Sequence, residues 1–278
     1  LAFNTAKSIY ILDPNGQELK RIRLVSTATN ALAVLDYGRG ARLFVACKNG
    51  QIYGFEPSGK PIMGWNPLGG SSQQALRYLP DPQKNDKEHI ILLNNKGSVY
   101  SYQRGGQRNF SVACEGAQFL DTDPRHGRIV AGNKAGKITV INLNGKHFSI
   151  KAPEKGEGYR FAYRQIWGDD RAEFIRLLDR QLWIEGYEGE KLKTIAQYQF
   201  EQAPDWLNAF ESPWPCVAAL DRKAQKIYLI EPNTGQLAQG FPLEGNTPFV
   251  LEDLFSEGQK VLLVGLQNTL IAYKPKLN

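Results

Sequence analysis

Ile227-Tyr228-Leu229-Ile230-Glu231-Pro232-Asn233-Thr234-Gly235 reads as a short apolar strand stopped by a polar turn. Aliphatic and aromatic residues suit a pleated, half-buried surface, and Pro, Asn and Gly end it. The same order of events recurs at Ile9-Tyr10-Ile11-Leu12 before Gly16, at Ile52-Tyr53-Gly54-Phe55 before Gly59, and at Val99-Tyr100-Ser101-Tyr102 before Gly105. It returns at Ile138-Thr139-Val140-Ile141 before Gly145, at Leu182-Trp183-Ile184 before Gly186 and Gly189, and, without the turn, at Leu270-Ile271-Ala272-Tyr273. The starts at 9, 52, 99, 138, 182, 227 and 270 are separated by 43, 47, 39, 44, 45 and 43 residues. A period of roughly 40–45 residues holding four short strands is that of a β-propeller blade.

Three further strands are expected around each copy. Upstream lies a second strand: Leu43–Cys47, His89–Leu93, Arg128–Ala131, Glu173–Leu178, Cys216–Leu220 and Lys260–Gly265. Before it comes an inner strand: Ala31–Tyr37, Ala75–Leu79, Ala117–Thr122, Phe161–Trp167, Trp206–Phe210 and Phe249–Leu254. After the glycine turn an outer strand is expected at Leu19–Val25, Ile62–Leu68, Phe110–Ala113, His147–Ile150, Leu192–Phe200 and Leu237–Leu243. The fold expected is therefore all-β, one propeller domain over residues 1–278 with about seven four-stranded antiparallel blades, six and eight being the alternatives. The terminal blades are incomplete: the first lacks an inner strand, with Leu1–Asn4 as the stub of its second, and the last stops after its third. Leu1 falls inside a strand-like run, as expected of a piece excised from a longer protein.

At 278 residues and 42% hydrophobic, such a chain buries about three quarters of its unfolded surface. No apolar run approaches the length of a membrane span. The 34 Lys and Arg against 28 Asp and Glu give +6, but the cations are dispersed, which argues against phosphate tracking along nucleic acid. Arg104-Gly105-Gly106 is read as a tight turn. Cys47, Cys114 and Cys216 form no C-x-x-C pair and are read as small buried hydrophobes.

The run at Ile227–Gly235 resembles the repeat of PQQ-like and WD40-like (quinoprotein-like) propellers. Val45 to Tyr53 with Gly64-Trp65 looks like the unit of integrin-like propellers. The tail from Gly240-Phe241-Pro242-Leu243 through Leu263-Val264-Gly265 to Tyr273 resembles the C-terminal propeller of large cell-envelope proteins of Gram-negative bacteria. That last resemblance implies an extracytoplasmic location, in the periplasm or at the cell surface, with an anchor outside this chain and no assigned activity.

Sharing a repeat is not sharing a cofactor. The chain lacks the vicinal cysteines common in quinoprotein dehydrogenases, and no cofactor is expected. Integrin-like calcium loops need carboxylates at alternate positions. Here Asp121 and Asp123 alternate, but Arg125 stands where a third ligand belongs, Asp169-Asp170 are adjacent, and Asp36 and Glu257 are single acids. A carboxylate bonding its own turn is the simpler reading. His89, His126 and His147 lie in different repeats, and no G-x-S-x-G, P-loop or dinucleotide fingerprint occurs.

Trp65, Trp167, Trp183 and Trp206 are assigned to packing between blades. Trp214, held between Pro213 and Pro215 in a turn from first to second strand, is the candidate partner contact, exposed or half covered. The polar insert Pro80–Glu88 lies in the matching loop of an earlier blade. Polar residues of inner strands, Arg77, Arg164, Gln165, Asn208 and Glu252, are candidates for lining a central funnel. The function expected is that of a non-catalytic binding or scaffold module for a protein or glycan partner, monomeric as a domain. The alternatives are an enzyme with its site in the funnel and a calcium-stiffened adhesion propeller.

Overall fold

The computed structural model describes residues 2–13, 17–36, 40–81, 88–152, 160–164, 166, 173–188, 191–211, 214–252 and 261–275. Among them there is no helix, and the strands form seven antiparallel sheets. Sheet I joins β1 (Ala2–Asn4), β2 (Ser8–Leu12) and β3 (Glu18–Arg23), and sheet II joins β4 (Ala33–Asp36), β5 (Ala41–Ala46) and β6 (Ile52–Phe55). Sheet III holds β7 (Arg77–Pro80), β8 (Glu88–Leu93), β9 (Ser98–Tyr102) and β10 (Arg108–Ala113). Sheet IV holds β11 (Phe119–Asp123), β12 (Arg128–Gly132), β13 (Lys137–Asn142) and β14 (His147–Lys151). Sheet V follows with β15 (Arg160–Arg164), β16 (Glu173–Leu178), β17 (Gln181–Glu188) and β18 (Lys191–Gln199). Sheet VI has β19 (Trp206–Phe210), β20 (Cys216–Asp221), β21 (Lys226–Ile230) and β22 (Leu243–Glu244), and sheet VII has β23 (Val250–Glu252), β24 (Val261–Leu266) and β25 (Thr269–Tyr273). In every sheet the strands neighbour one another in chain order, so the fold is a seven-bladed β-propeller with blades of three or four strands.

Two compact units make up the chain: Leu1–Asn133 with Thr139–Phe148, and Lys134–Ile138 with Ser149–Asn278. In the first, the second strand of each sheet explains the packing. β8 is apolar and buried along Ile90–Leu93 without polar alternation, because both its faces are covered. Ile90 and Leu92 pack with Phe44, Ala46 and Ile52 of sheet II, whereas Ile91 and Leu93 pack with Leu120, Ile129 and Ala131 of sheet IV. One sheet earlier, Leu43 and Val45 meet Ile9 and Ile22 of sheet I. Each such side chain contributes about 1.5–3 kcal/mol on burial.

The same two-sided use appears in the second unit. Val217 and Ala219 of β20 pack with Ile175, Leu177 and Ile184 of sheet V. Their neighbours Cys216, Ala218 and Leu220 pack with Leu251, Leu262 and Val264 of sheet VII.

A run of side-chain amides ties successive sheets of the first unit together. Asn4 Oδ1 accepts from Leu32 N (2.8 Å) and its Nδ2 donates to Asn30 O (3.1 Å). Asn30 Oδ1 in turn accepts from Ala46 N (2.9 Å), and its Nδ2 donates to Gln74 O (2.8 Å). Gln74 continues the run, accepting from Leu120 N (3.2 Å) and donating to Gln118 O.

Two expected outer strands are not regular strands. Between Ile62 and Leu68 the ladder is reduced to the single bridges Phe55↔Pro61 and Gln51↔Leu68. Pro61 and Pro67 have no N–H to give, and Gly64 sits at φ 76°. The indole of Trp65 takes over, donating Nε1–H to Ile52 O at 2.9 Å. Between Leu237 and Leu243, Gly240 (φ 83°) turns the chain and Phe241 is buried in the same way; only β22 and the bridge Ile230↔Leu237 remain. The stub at Asn4 pairs with β2 as expected, and β25 is the third strand of sheet VII.

The three cysteines are buried and free, and burial pushes the Cys47 thiol up to about 11. A thiol raised in this way stays protonated in the folded chain, so its contribution to stability is lost only as pH climbs from the unfolded value near 9.0 toward 11. Native protein at pH 8 should therefore leave Cys47 unmodified by a thiol reagent while denatured protein reacts in full, as mass spectrometry reads directly. Gly97 sets the hairpin between β8 and β9 at φ 77°, where an added Cβ would meet Cys114 O at 2.6 Å and Ala117 N at 3.0 Å. Gly97→Ala combines left-handed strain with a clash against backbone and should cost about 2 kcal/mol or more in urea unfolding.

Candidate functional site

The residues singled out by sequence fall in both units and are taken in chain order. Arg77 opens β7 and is exposed. Asp121 and Asp123 lie on β11, both buried. Asp123 serves its own turn: Oδ1 accepts from the backbone N–H of Arg125 (3.0 Å) and of His126 (3.2 Å). Its Oδ2 lies 2.7 Å from His126 Nδ1. Asp121 Oδ1 accepts from Thr122 N at 3.0 Å. Asp123 thus bonds its own turn while Asp121 lies within the strand, and no cluster of three metal-ligating side chains occurs among the described residues.

In the second unit Arg164 ends β15, half-buried, with Nη1 donating to Tyr163 O at 2.8 Å. Asn208 sits half-buried in the middle of β19. These two inner strands lie side by side. Glu252 is placed on β23, opposite Val261; its side chain, together with Gln165, Pro213, Trp167, Asp169, Asp170, residues 82–87 of the polar insert and Glu257, lies outside the described residues.

Trp214 is half-buried and packs against the cluster shared by sheets VI and VII. One part of the indole is thereby anchored on the core while the rest meets solvent, at the turn joining β19 to β20. Trp65 and Trp206 pack as expected between sheets, Trp206 lying 5.2 Å from Phe249 by ring centroids.

Two polar groups that sequence reading did not pair stand out once strand register is known. His89 lies diagonally across from Ser101 on β8 and β9, with His89 Nδ1 2.8 Å from Ser101 Oγ and Asn109 Nδ2 donating to Ser101 Oγ at 3.2 Å. A serine and histidine at this distance have the geometry of an activated nucleophile. Ser101 is fully buried, however, and His89 nearly so, so the pair works as a core hydrogen bond. Beside it, Glu88 takes both ends of the Arg104 guanidinium, with Nε to Oε2 at 2.8 Å, and Arg104 sits in the tight turn expected of it, closed by Gly106 N–H to Gln103 O at 2.9 Å.

The second is Arg176 with Glu185, an ion pair inside sheet V whose members are 0% and 3% exposed. The guanidinium donates twice, at 2.5 and 2.7 Å, and its carbon lies 4.9 Å from the Trp183 ring centroid. Arg176 and Trp183 are direct cross-strand partners on β16 and β17. The signal was present in the sequence as an arginine inside the apolar run Glu173–Leu178, but its partner is set by strand register.

The fold has solved counterparts. Two crystal structures of BBS1N in complex with ARL6DN, one soaked with mercury and one with lead, resemble this chain with TM-scores of 0.58 at 14% identity. The first match covers 78% of this chain and 70% of that chain, the second 87% and 77%. At that identity the likeness is one of fold. No protein-family model and no curated protein matches the sequence.

A buried pair that loses one member leaves a charge uncompensated in the core. Glu185→Ala should lower unfolding stability by about 3–5 kcal/mol, whereas replacing both residues with apolar side chains of similar volume should restore most of it. Chemical denaturation of the single and double variants checks this.

Proposed function

We propose that this chain is a non-catalytic propeller that holds a protein partner, with Trp214 as a principal contact. The observation that carries the reading is the half-seated indole: packed against sheets VI and VII on one part and open on the rest. An aromatic fixed in advance gives large contact area at little cost in side-chain entropy, which is why Trp is over-represented among binding hot spots. The polar groups with catalytic geometry are enclosed in the core, so they add nothing to an enzymatic alternative. The structural neighbours support the same reading, since they are propellers crystallised with a protein bound.

An extracytoplasmic setting remains part of the proposal. It is supported by the likeness of the Gly240–Tyr273 tail to cell-envelope propellers. A glycan is the second ligand class that an exposed indole face accommodates, by stacking.

Trp214→Ala should leave the melting temperature within a few degrees of the parent. It should weaken a partner recovered by the parent chain by about thirtyfold or more, the scale of a hot-spot aromatic. Affinity measured by calorimetry, alongside a glycan array probed with both proteins, reads the result. Equal affinity of the two proteins for that partner sinks the assignment of Trp214, and loss of array signal in the variant reassigns the ligand as a sugar.

A further inference from the structure

In sheets I, II and III the hairpins that enter the third strand are residues 5–7, 47–51 and 94–97. Each carries one exposed lysine: Lys7, Lys48 and Lys96. The stretches leading from one sheet to the next lie against the same hairpins. Leu24 N–H donates to Lys7 O (2.9 Å) and Lys48 N–H to Thr27 O (2.9 Å). Gly70 N–H donates to Gly50 O (3.0 Å) and Asn95 N–H to Ser71 O (2.8 Å). Hairpin and lead-in therefore alternate along one rim of the first unit, each fastened to the next through backbone.

Charge is divided unevenly between this rim and the opposite ends of the same strands. Residues 5–7, 24–32, 47–51, 68–76 and 94–97 hold the three lysines and no acid. Only the following stretch, 114–118, brings one, Glu115. The other ends mix cations with Asp13, Asp36, Glu56, Asp81 and Glu88. Cations on a rim without carboxylates of its own produce a positive field that favours an anionic partner.

Two uncovered aliphatic residues sit at the middle hairpin. Val25, 87% exposed, precedes Ser26, whose Oγ accepts from Asn49 N at 3.2 Å. Leu68, 71% exposed, forms a bridge with Gln51 at the foot of that hairpin. Sheets I and III, which pack on either side of sheet II, belong to the same unit.

We propose that this rim docks an acidic segment of a protein partner, whose carboxylates meet Lys7, Lys48 and Lys96 and whose aliphatic side chains cover Val25 and Leu68. A protein segment fits the rim better than a nucleic acid does. One cation per sheet gives few phosphate contacts, and the rim holds no aromatic ring on which a base could stack. The uncovered aliphatics call for apolar matter between the charges, which a peptide carries and a phosphate backbone does not. Trp214 lies in the other unit, and the proposal does not rest on it.

The test uses the whole chain and a labelled peptide of three Glu-Leu-Glu blocks spaced by Gly-Ser, read by fluorescence anisotropy. Saturable binding is expected, tighter at low salt and lost when Gln replaces Glu in the peptide. Lys48→Glu and Lys96→Glu should each weaken it by about fivefold or more, and Leu68→Ser by about threefold or more. Lys60→Glu, an exposed site in the turn at the other end of sheet II, changes net charge equally and should leave affinity unchanged. All four side chains are exposed, so the variants should melt with the parent, and a shared melting temperature is required for the comparison. No binding at millimolar peptide overturns the proposal, as does an equal loss in Lys60→Glu and Lys48→Glu, which reduces the effect to net charge. Tighter binding of oligodeoxythymidine, or of phosphatidylserine-containing vesicles, than of the peptide also overturns it, by reassigning the rim to nucleic acid or to lipid.

Discussion

Second strands such as β8 and β20 are hydrophobic on both faces, and within each unit the structure depends on a neighbouring sheet being present on either side of them. No sheet of three or four strands encloses such a strand by itself. Ile90 and Ile91 are adjacent in sequence and buried against different sheets, as are Val217 and Ala218 in the other unit. Stability of this kind resides in the contacts between repeats more than in any one repeat. The irregular stretches near Trp65 and Phe241 are tolerated for the same reason, since a ring inserted between sheets replaces ladder bonds without opening the face.

Polar residues that drew notice as candidate chemistry are mostly spent on holding turns and strands. Asp123 fastens the hairpin from β11 to β12, His89 is enclosed with Ser101 and Asn109, and Arg176 is neutralised by Glu185 under Trp183. The indole of Trp214, the proposed contact, is by contrast only half-buried.

The architecture was legible because a period of some forty residues needs only local pattern to be seen, and second strands such as Glu173–Leu178 and Cys216–Leu220 fall within a residue of where the apolar runs place them. Outer strands were less legible. Ile62–Leu68 has strand-like composition, and its fate is decided by two prolines, a left-handed glycine and an indole that finds a carbonyl thirteen residues away. The ion pair of Arg176 and Glu185 was hidden for a related reason: the arginine is plain in the sequence, but which acid faces it depends on hairpin register.

The side-chain amides of Asn4, Asn30 and Gln74 carry a consequence for motion. Each reaches from one blade to the backbone that leads into or forms the next, over separations of 26 to 46 residues. Blades joined only by oily contact are free to slide slightly, because dispersion is nearly indifferent to small shifts. A directional bond between backbone and carboxamide is not indifferent, and it pins the height of one blade to that of its neighbour. The first four sheets are thereby geared to one another, and a displacement at Asn4 is passed along to Leu120 through a train of three amides.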